Sequence, residues 1–593
     1  MLATGLVGVV VTAAGRPWRA QPYQATGLAV TESEAAPRFE QSIAQIVVER
    51  SSGAAAQRTA RVGELACICT CSGSGRGLGS LLAFFQITLF YGRPVRRRVA
   101  RQYRGPRISR KASKLQGESS LAGRAMLGRS MAWRLLIPVL LAMLAGCGSE
   151  PRPRRDVLLI TVDTLRADFV HAYGFAAPIT PAIDELAGRG VRFESAIASS
   201  SATAPSVASI MTSRFTREHS VGALNGPTRL VGDETLAERF RAAGYETAAF
   251  VSNVVLKSRS GFDRGFDVFD DDLPGAEANR PALLERRAAT TAERALDWLA
   301  ERGERPFFLW VHFQDPHGPY LPPGEVPPVR VEIPLRTDRP LSVLSSNRGR
   351  GGIPAYQHQD GLVRPGDYAR RYAGEIAYVD GWVGRVVDAF EARSGERGSV
   401  VLFTADHGES LGENGWFFQH GHATTPELAR VPLVLVAQGL EPAVRSEPVS
   451  HVDIAPTLLE LAGVDPLERA SGLSLAALLD GGVLPERLLF CDVPGELSAY
   501  GPAGYVMVSG WPGDSSPGSA LAAAGDSLDW QRWEADDAGG WRRSDDPAQL
   551  DAEIARYLAS AAAVEPALPM SDEDISRLRA LGYLPPDSAP SGN

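Results

Sequence analysis

Three side chains suited to binding a divalent metal ion stand at the ends of apolar runs in this sequence. Asp163 follows the run 157–162, and Asp406 and His407 follow the run 399–404. A carboxylate at a strand end is a natural ligand for a hard cation, and an adjacent Asp and His offer one oxygen and one nitrogen to the same ion. Asp163 alone would be weak evidence, because most such residues cap helices. Together, the three residues indicate a metal site.

A hydroxyl group stands at the start of a predicted helix. Thr203 lies two residues before Pro205, which fits the first turn of a helix, so that Thr203 would sit just before it. The N–H groups and dipole of a helix start favour an oxyanion or a phosphate there. The competing interpretation is that Thr203 caps the helix, which is the commoner role of Thr at this position.

Histidines are concentrated after a third apolar run. His312 and His317, with Asp315 between them, belong to or follow the run 307–313, and a further pair occurs downstream at 420 and 422. Imidazoles can donate to a substrate oxyanion or protonate a leaving group. A single His is usually structural, but this density after a buried strand favours a functional role.

Apolar runs and helical periods alternate along the chain, which predicts an α/β fold with a mostly parallel sheet. In such folds ligands bind beyond the carboxyl ends of the strands, where Asp163, His312 and Asp406 are expected. Two stretches rich in Gly, Pro, Ser or charge, 325–366 and 512–550, are predicted to be a surface insertion near the site and loops of a C-terminal subdomain. The predicted strands are 157–162, 247–251, 307–313, 399–404 and 431–436, and the predicted helices are 180–190, 235–243, 288–300, 372–390 and 454–462.

The order of these motifs resembles that of the sulfatase family within the alkaline phosphatase superfamily. The resemblance covers about 157–464, includes the motif SHVDIAPTLLELAG at 450–463, and extends to the tail LRALGYL at 578–584. It implies an α/β fold, with a large alkaline-phosphatase-like domain at 156–465 whose mixed central sheet is flanked by helices. It also implies a smaller C-terminal α+β subdomain with a short antiparallel sheet, at 466–593.

The resemblance also implies roles for individual residues. Thr203 falls where the family keeps its nucleophile, and His317 resembles the substrate-side His of the family. His422 stands where many sulfatases have a Lys that contacts the sulfate, and His420 is a second candidate for such a contact. The implied metal ligands are Asp163, Thr203, Asp406 and His407.

This sequence departs from the family pattern at four positions, the first of which is Val162-Asp163, where the family usually has an Asp-Asp pair. Thr203 cannot be oxidised to formylglycine as a Cys or Ser can, because its extra methyl group would give a ketone. The Arg that supports formylglycine is replaced by Val207. Two-metal relatives carry Asp-x-x-x-His on a helix, but Asp380 is followed by Gly384. We therefore expect one divalent metal ion, with Ca²⁺ as the leading candidate and Mn²⁺ or Zn²⁺ also suited to a His ligand.

The predicted activity is metal-dependent hydrolysis of a sulfuric, phosphoric or phosphonic ester in a small molecule or glycan. Thr203 favours phosphorus, whereas the family as a whole favours sulfate. Two other functions stay open: a catalytically silent, lipid-anchored binding protein, which Thr203 and Val207 suggest, and a phosphoryl headgroup transferase.

Composition excludes some classes and divides the chain. The 593 residues carry a formal net charge of −8, which argues against a nucleic-acid partner because such proteins usually have a basic face. Five cysteines are too few for a disulfide framework, and the C-x-C-x-C spacing at 67–71 matches no standard zinc pattern. Residues 1–130 are Arg-rich and contain no Asp, and we predict that they are a disordered, mis-called upstream extension.

A lipoprotein signal peptide is predicted at 131–147. A positive start is followed by the apolar run 135–144 and by Leu-Ala-Gly-Cys147, which resembles the bacterial lipobox whose Cys receives lipid. Translation would then begin at Met131 or Met126, and 148–155 would be a linker. These features predict a lipid-anchored protein of the bacterial cell envelope, on the periplasmic face or the cell surface. An internal core helix is the alternative interpretation.

Overall fold

A computed structural model describes the chain over residues 154–544 and at Ile554, Arg556 and Tyr557, together with the backbone of five strands before residue 130. The predicted signal peptide with Cys147, most of the loop region 512–550 and the tail 578–584 lie outside the described residues. Within 154–544 the residues left out are 220, 223–228, 278–279, 325, 329–338, 480, 502–503, 511–528 and 536–540.

The chain divides into two compact units, Met1–Gly128 and Arg129–Asn593. In the first unit, one group of three strands has β1 paired with both β2 and β3, and β4 pairs with β5. That residues 1–130 are a mis-called upstream extension stays a prediction. The strands are β1 (Val7–Ala13), β2 (Arg16–Arg19), β3 (Ile46–Arg50), β4 (Cys67–Thr70) and β5 (Gln86–Leu89).

The second unit contains a nine-stranded sheet, two small hairpins and a five-stranded sheet. Its strands alternate with helices, as the periodicity predicts. In chain order the strands are β6 (Asp156–Val162), β7 (Val191–Ile197), β8 (Glu246–Val251), β9 (Val268–Asp270), β10 (Gly275–Glu277), β11 (Arg280–Glu285), β12 (Phe307–Phe313), β13 (Ser399–Ala405), β14 (Ser410–Leu411), β15 (Phe417–Gln419), β16 (Arg430–Ala437), β17 (Ala443–Arg445), β18 (Val449–Ser450), β19 (Leu489–Val493), β20 (Glu496–Gly501), β21 (Gly504–Ser509), β22 (Asp529–Ala535) and β23 (Trp541–Arg543).

The nine-stranded sheet has the order β17-β7-β16-β13-β6-β12-β8-β9, with β18 beside β7. Strands β13, β6, β12, β8 and β9 are parallel, and β16 is antiparallel to both of its neighbours. The mixed sheet that the family resemblance implies is therefore confirmed. The half-buried strand β7 was not predicted, because its sequence VRFESAI mixes apolar and charged residues.

Strand β6 lies at the centre of the sheet and is buried along its whole length. A parallel strand covered on both faces needs apolar side chains at successive positions, which explains the run 157–162. Thr161 and Val162 of β6 lie opposite His312 and Phe313 of β12, and opposite Thr404 and Ala405 of β13. The carboxyl ends of these three strands therefore meet at one edge.

Helices flank this sheet. The longest runs from Pro365 to Ser394, well beyond the predicted 372–390, because its first turns also pack against the core. Over the described residues, no helix is both long enough and apolar enough to span a membrane. In chain order the α-helices are α1 (Pro181–Arg189), α2 (Thr203–Thr212), α3 (Thr216–His219), α4 (Leu236–Ala242), α5 (Ala288–Glu301), α6 (Pro365–Ser394), α7 (Pro426–Ala429), α8 (Ile454–Leu461) and α9 (Ala476–Leu479).

The sheet of strands β19–β23 is antiparallel throughout and supports a loop of the large sheet. Glu496 of β20 accepts hydrogen bonds from the backbone N and the hydroxyl of Thr424, at 2.6 and 2.9 Å. Tyr500 donates its hydroxyl to the Thr424 carbonyl at 2.6 Å. The C-terminal sheet thus anchors the segment that follows His420 and His422.

The described part of the predicted insertion at 325–366 packs against β15 and the turn before it. Gly351 N donates to the carbonyl of Gly415 at 2.8 Å, and Phe417 N donates to that of Gly349 at 2.9 Å. Tyr356 donates its hydroxyl to the Phe418 carbonyl at 2.7 Å. The segment is therefore held by backbone and side-chain hydrogen bonds rather than by a continuous strand.

Candidate active site and metal centre

The predicted metal ligands lie together at the carboxyl edge of the large sheet. Asp163 follows β6, and its backbone N donates to the Phe313 carbonyl at the end of β12, at 2.9 Å. Asp406 follows β13, and its backbone N donates to the Val162 carbonyl, at 3.3 Å. The backbone hydrogen bonds between neighbouring strands thus continue one residue beyond the strand ends and hold the two carboxylates close together. His407 completes the group as the neighbour of Asp406.

Each of these three residues offers one ligand atom to a common space, and the three atoms lie within 4.8 Å of one another. Asp406 Oδ1 accepts from the backbone N of Thr164 and of His407, at 3.0 and 2.7 Å, and Asp163 Oδ2 accepts from Asn253 Nδ2 at 2.5 Å. The other oxygens, Asp406 Oδ2 and Asp163 Oδ1, are buried without a hydrogen-bond partner among the described residues. Buried oxygens left unpaired in this way are costly, and a cation would satisfy them.

His407 presents a nitrogen to the same space. Its Nδ1 lies 2.9 Å from the Gly408 carbonyl, which can only accept, so Nδ1 carries the hydrogen and Nε2 carries the lone pair. Nε2 is 3.5 Å from Asp406 Oδ2 and 4.0 Å from Asp163 Oδ1. A His ring held through its other nitrogen is the usual arrangement of a metal ligand. The residues present therefore fit one divalent cation.

The charges of this cluster also favour a bound cation. Burial raises the pKa of Asp163, and burial together with the neighbouring Asp163 raises the pKa of Asp406. Two fully buried carboxylates facing one another repel when both are ionised. A bound divalent cation would remove this repulsion and favour the ionised forms.

Thr203 lies beside the cluster, although not quite where the sequence predicts. It is the first residue of α2, rather than the residue before the helix, and the N-cap is Ala202. The N-capping interpretation is therefore wrong. Thr203 Oγ1 instead lies 3.3 Å from His407 Nε2. The hydroxyl thus lies both at the start of a ten-residue helix and next to the three ligand atoms.

A row of imidazole rings leads away from the cluster. The ring centroid of His420 lies 4.6 Å from that of His407 and 5.1 Å from that of His317. His422 is placed differently: its ring stacks on Trp416 with centroids 4.0 Å apart, and its Nε2 lies 3.4 Å from Ser410 Oγ. The structure therefore brings His317 and His420 towards the ligand atoms and sets His422 against Trp416.

Several residues around the site were not assigned roles from the sequence. Asn253, which holds Asp163, stands two residues after the predicted strand 247–251, so the strand-end rule that selected Asp163 could also have selected it. Glu409 is buried, its Oε1 lies 3.4 Å from His420 Nδ1, and burial raises the pKa of Glu409 to about 8. The contact of Glu409 depends on a fold-back of the chain that no local pattern reveals.

Ser206 joins the helix of Thr203 to the strand of Asp406. Its hydroxyl lies 2.6 Å from the Asp406 carbonyl and 2.9 Å from His451 Nδ1. Because His451 belongs to the motif at 450–463, this motif contributes to the support of the site. Burial lowers the pKa of His451 to about 3, which keeps the ring neutral.

Two acidic residues near the site have structural roles. Asp380 accepts hydrogen bonds from the backbone N atoms of Ala182 and Ile183, at 3.0 and 2.9 Å, and so holds the start of α1. Asp315 accepts from the backbone N of Ala288 at 2.7 Å and pairs with Arg287 at 2.9 Å. The expected absence of a second metal site at Asp380 stays a prediction. Its hydrogen bonds to the first turn of α1 give this carboxylate a structural role.

The chain is similar to known proteins in sequence and in fold. The sequence model of a family described as Sulfatase matches residues 155–464, just over half of the chain. An N-acetylglucosamine-6-O-sulfatase of Bacteroides thetaiotaomicron is 24% identical over 425 residues, which cover 58% of this chain and 75% of that protein. A choline-sulfatase of Rhizobium meliloti is 28% identical over 405 residues, covering 56% and 73%.

Solved structures share the fold. The phosphonate monoester hydrolase of Agrobacterium radiobacter superimposes with a TM-score of 0.50 at 19% identity, covering 73% of this chain and 96% of that one. A structure solved with its substrate D-glucosamine-2-N,6-O-disulfate gives a TM-score of 0.51 at 18% identity, covering 64% and 91%. At these identities the likeness concerns the fold and leaves the substrate undecided.

Proposed function

This chain belongs to the sulfatase family, and we propose that it hydrolyses a sulfuric, phosphoric or phosphonic ester through attack by the Thr203 hydroxyl beside one bound divalent cation. The observation that carries the proposal is the 3.3 Å distance between Thr203 Oγ1 and His407 Nε2, next to two buried carboxylate oxygens that lack partners among the described residues. A hydroxyl at this position shares its space with any ion that the three ligand atoms hold.

Asp163, Asp406 and His407 would hold the ion, with Thr203 as a fourth ligand. When bound, a divalent cation supplies Lewis acidity, which lowers the pKa of a nearby hydroxyl and neutralises charge on the ester oxygens. Ca²⁺ is the leading candidate, and Mn²⁺ and Zn²⁺ also suit a site with one imidazole.

The protein's own groups account for the remaining steps. The start of α2 would stabilise negative charge on Thr203 Oγ1 through the helix dipole. The hydroxyl gives up its proton to solvent, its oxygen attacks sulfur or phosphorus as the bond to the leaving ester oxygen breaks, and that leaving oxygen takes up a proton. Water then cleaves the ester formed on Thr203.

His317, His420 and His422 are candidates to bind the substrate oxyanion and to supply the proton to the leaving group. The ring contacts from His407 to His420 and on to His317 favour these two for groups next to the reacting atom. His422, stacked on Trp416, is favoured for a contact further from it.

Thr203 favours a phosphoric or phosphonic ester over a sulfate, because it cannot form the aldehyde on which formylglycine sulfatases depend. The proteins similar to this chain include both sulfatases and, among solved structures of the same fold, a phosphonate monoester hydrolase. We propose a small-molecule or glycan ester as the substrate and no nucleic-acid partner.

The test is turnover of the metal-loaded protein on an aryl sulfate, a phosphate diester and a phosphonate monoester. We expect hydrolysis of at least one substrate by the wild-type protein and a loss of at least a hundredfold in Thr203→Ala. Unchanged turnover in Thr203→Ala would rule out Thr203 as the nucleophile.

A silent binding protein is the second candidate, favoured by Val207. This side chain is fully buried in the apolar core, at the position where the resemblance predicts a supporting Arg. Tight metal binding without turnover on the whole substrate panel would favour this candidate. A phosphoryl headgroup transferase would instead show turnover only when a second, acceptor alcohol is present.

We also propose that the protein is anchored in the bacterial cell envelope through lipid on Cys147. The order of charged, apolar and small residues at 131–147 supports this proposal. Mass spectrometry of the native protein would test it: a mature chain that begins at a lipid-modified Cys147 is expected, and a mature chain that contains residues 1–125 would rule it out.

A further inference from the structure

His312 is buried beneath the candidate metal centre and has a polar neighbour on each side of its ring. Its Nδ1 lies 2.8 Å from Thr161 Oγ1, and its Nε2 lies 3.6 Å from Asp163 Oδ2. Trp310 Nε1 lies 3.0 Å from the same Thr161 Oγ1. Four side chains thus form a line, Trp310–Thr161–His312–Asp163, in which every residue is fully buried.

The directions of the hydrogens along this line follow from the chemistry of its members. An indole N–H can only donate, so Thr161 Oγ1 accepts from Trp310. The one hydrogen of the Thr161 hydroxyl then goes to His312 Nδ1. Nδ1 therefore accepts, and the ring hydrogen sits on Nε2, which faces Asp163. The opposite tautomer would leave the Thr161 hydrogen without an acceptor and turn a nitrogen lone pair towards a carboxylate.

We propose that His312 is a positioning residue for Asp163, whose tautomer Thr161 and Trp310 set so that its Nε2–H points at Asp163 Oδ2. Asn253 donates to the same oxygen at 2.5 Å. With two N–H groups directed at Oδ2, the carboxylate is oriented with Oδ1 towards the space shared with Asp406 and His407. Asp163 would then offer Oδ1 to an ion. This inference rests on the metal centre of the proposed function.

The surroundings of His312 are consistent with a neutral donor. His312 is fully buried, and burial lowers its pKa and so disfavours the charged ring. Its Nε2 has no hydrogen-bond partner among the described residues, and Asp163 Oδ2, at 3.6 Å, is the acceptor that it faces. A neutral N–H orients a carboxylate without adding a second positive charge behind the ligand, and groups behind a metal ligand commonly change metal affinity by about 10- to 100-fold.

The first experiment measures binding of Ca²⁺ and of Mn²⁺ to the metal-free full chain by isothermal titration calorimetry. We expect His312→Leu to weaken binding by about 10- to 100-fold and Thr161→Val to weaken it by about tenfold. His312→Gln, whose side-chain amide can donate in place of Nε2, should retain most of the affinity. In the His312→Gln background, Thr161→Val should have little further effect, because Thr161 acts through the ring.

Thr247→Val is the matched control. Thr247 is also a fully buried strand Thr whose hydroxyl is hydrogen-bonded, to the Gly265 carbonyl at 2.8 Å, but it lies near the opposite end of β8 from Asn253. This variant should lose stability as Thr161→Val does and keep its metal affinity. Thermal unfolding of the metal-free variants checks that each one folds.

The second experiment reads the tautomer of His312 from its ring ¹⁵N shifts, with the signal assigned by its absence in His312→Gln. We expect a pyridine-like Nδ1 and a pyrrole-like Nε2, and the reverse pattern would overturn the inference. Equal metal affinity in wild type, His312→Leu and Thr161→Val would also overturn it while leaving the metal centre intact. A wild-type protein that binds neither ion would overturn the metal centre and this inference together.

Discussion

His407 Nε2 lies 3.3 Å from Thr203 Oγ1, although the two residues are 204 positions apart in the chain. The nitrogen belongs to a residue just after the central strand Ser399–Ala405, and the hydroxyl belongs to the first turn of the helix Thr203–Thr212. Any ion held by this nitrogen is therefore within reach of the hydroxyl.

The hydroxyl of Thr203, rather than the bulk of its side chain, should be needed for turnover. Thr203→Ser keeps the hydroxyl and should retain activity within about tenfold, whereas the near-isosteric Thr203→Val should lose at least a hundredfold. Both variants should still bind metal through the three other ligands. Rate measurements paired with calorimetric metal binding check this, and an active Thr203→Val protein would contradict it.

Metal binding should stabilise the fold. At a metal concentration of about 100 times Kd, one site adds about 2.7 kcal/mol to the free energy of unfolding, and a chelator should remove this gain. Asp406→Asn should abolish the metal-induced rise in Tm. The matched control is Asp380→Asn, which replaces another buried carboxylate that accepts two backbone N–H groups, but at a helix start. It should lower Tm and keep the metal-induced rise.

Glu409 should make the metal-free protein less stable as the pH rises. Burial raises the pKa of Glu409 to about 8 from an ordinary value of 4.5, so the folded state favours the neutral acid. Between about pH 4.5 and 8 the unfolded state has released this proton and the folded state has not. Folding stability should therefore fall with increasing pH in this window, by up to about 1.4 kcal/mol per pH unit.

Glu409→Gln isolates this effect, because the amide has nearly the same shape and cannot ionise. Urea unfolding in a chelator at a series of pH values should show a shallower fall for the variant than for the wild type. Burial also raises the pKa values of Asp163 and Asp406, and the pH dependence that this burial adds is present in both proteins. The charge of Glu409 raises the Asp163 pKa further, so the variant removes that coupling together with the Glu409 titration. Parallel curves for the two proteins would contradict this assignment.

Gly408 should be intolerant of any side chain. A Cβ added there would overlap the carbonyl oxygen of Glu427, which is backbone and cannot move aside easily. Gly408→Ala should therefore destabilise the protein by about 1–3 kcal/mol and weaken metal binding through the adjacent His407. Gly381→Ala in α6 is the control: nothing lies within 4 Å of its added Cβ, so it should stabilise the helix by about 0.5–1 kcal/mol. Chemical denaturation of both variants checks the contrast.

Local sequence patterns were sufficient to predict the central elements. The apolar runs around residues 160, 310 and 402 predicted buried strands, and the strand-end rule selected Asp163 and Asp406 before any contact was known. The order of motifs predicted the sulfatase family and its mixed sheet, both of which are confirmed. Weaker patterns failed, as at β7, where charged residues interrupt the alternation.

The sequence by itself determined which residue types stand at the strand ends, that a Thr stands at position 203, where the family resemblance predicts an oxidisable residue, and that Val207 brings no charge. Tertiary structure alone decided which carboxylate oxygens remain without a partner. Asn253 donates to Asp163 Oδ2 and two backbone N–H groups donate to Asp406 Oδ1, which leaves the other oxygen of each residue available to an ion. Tertiary structure also set His420, rather than His422, against His407. The physical reason is that strand periodicity is local, whereas the partners of a buried polar atom come from segments far apart in the chain, brought together only when the sheet forms.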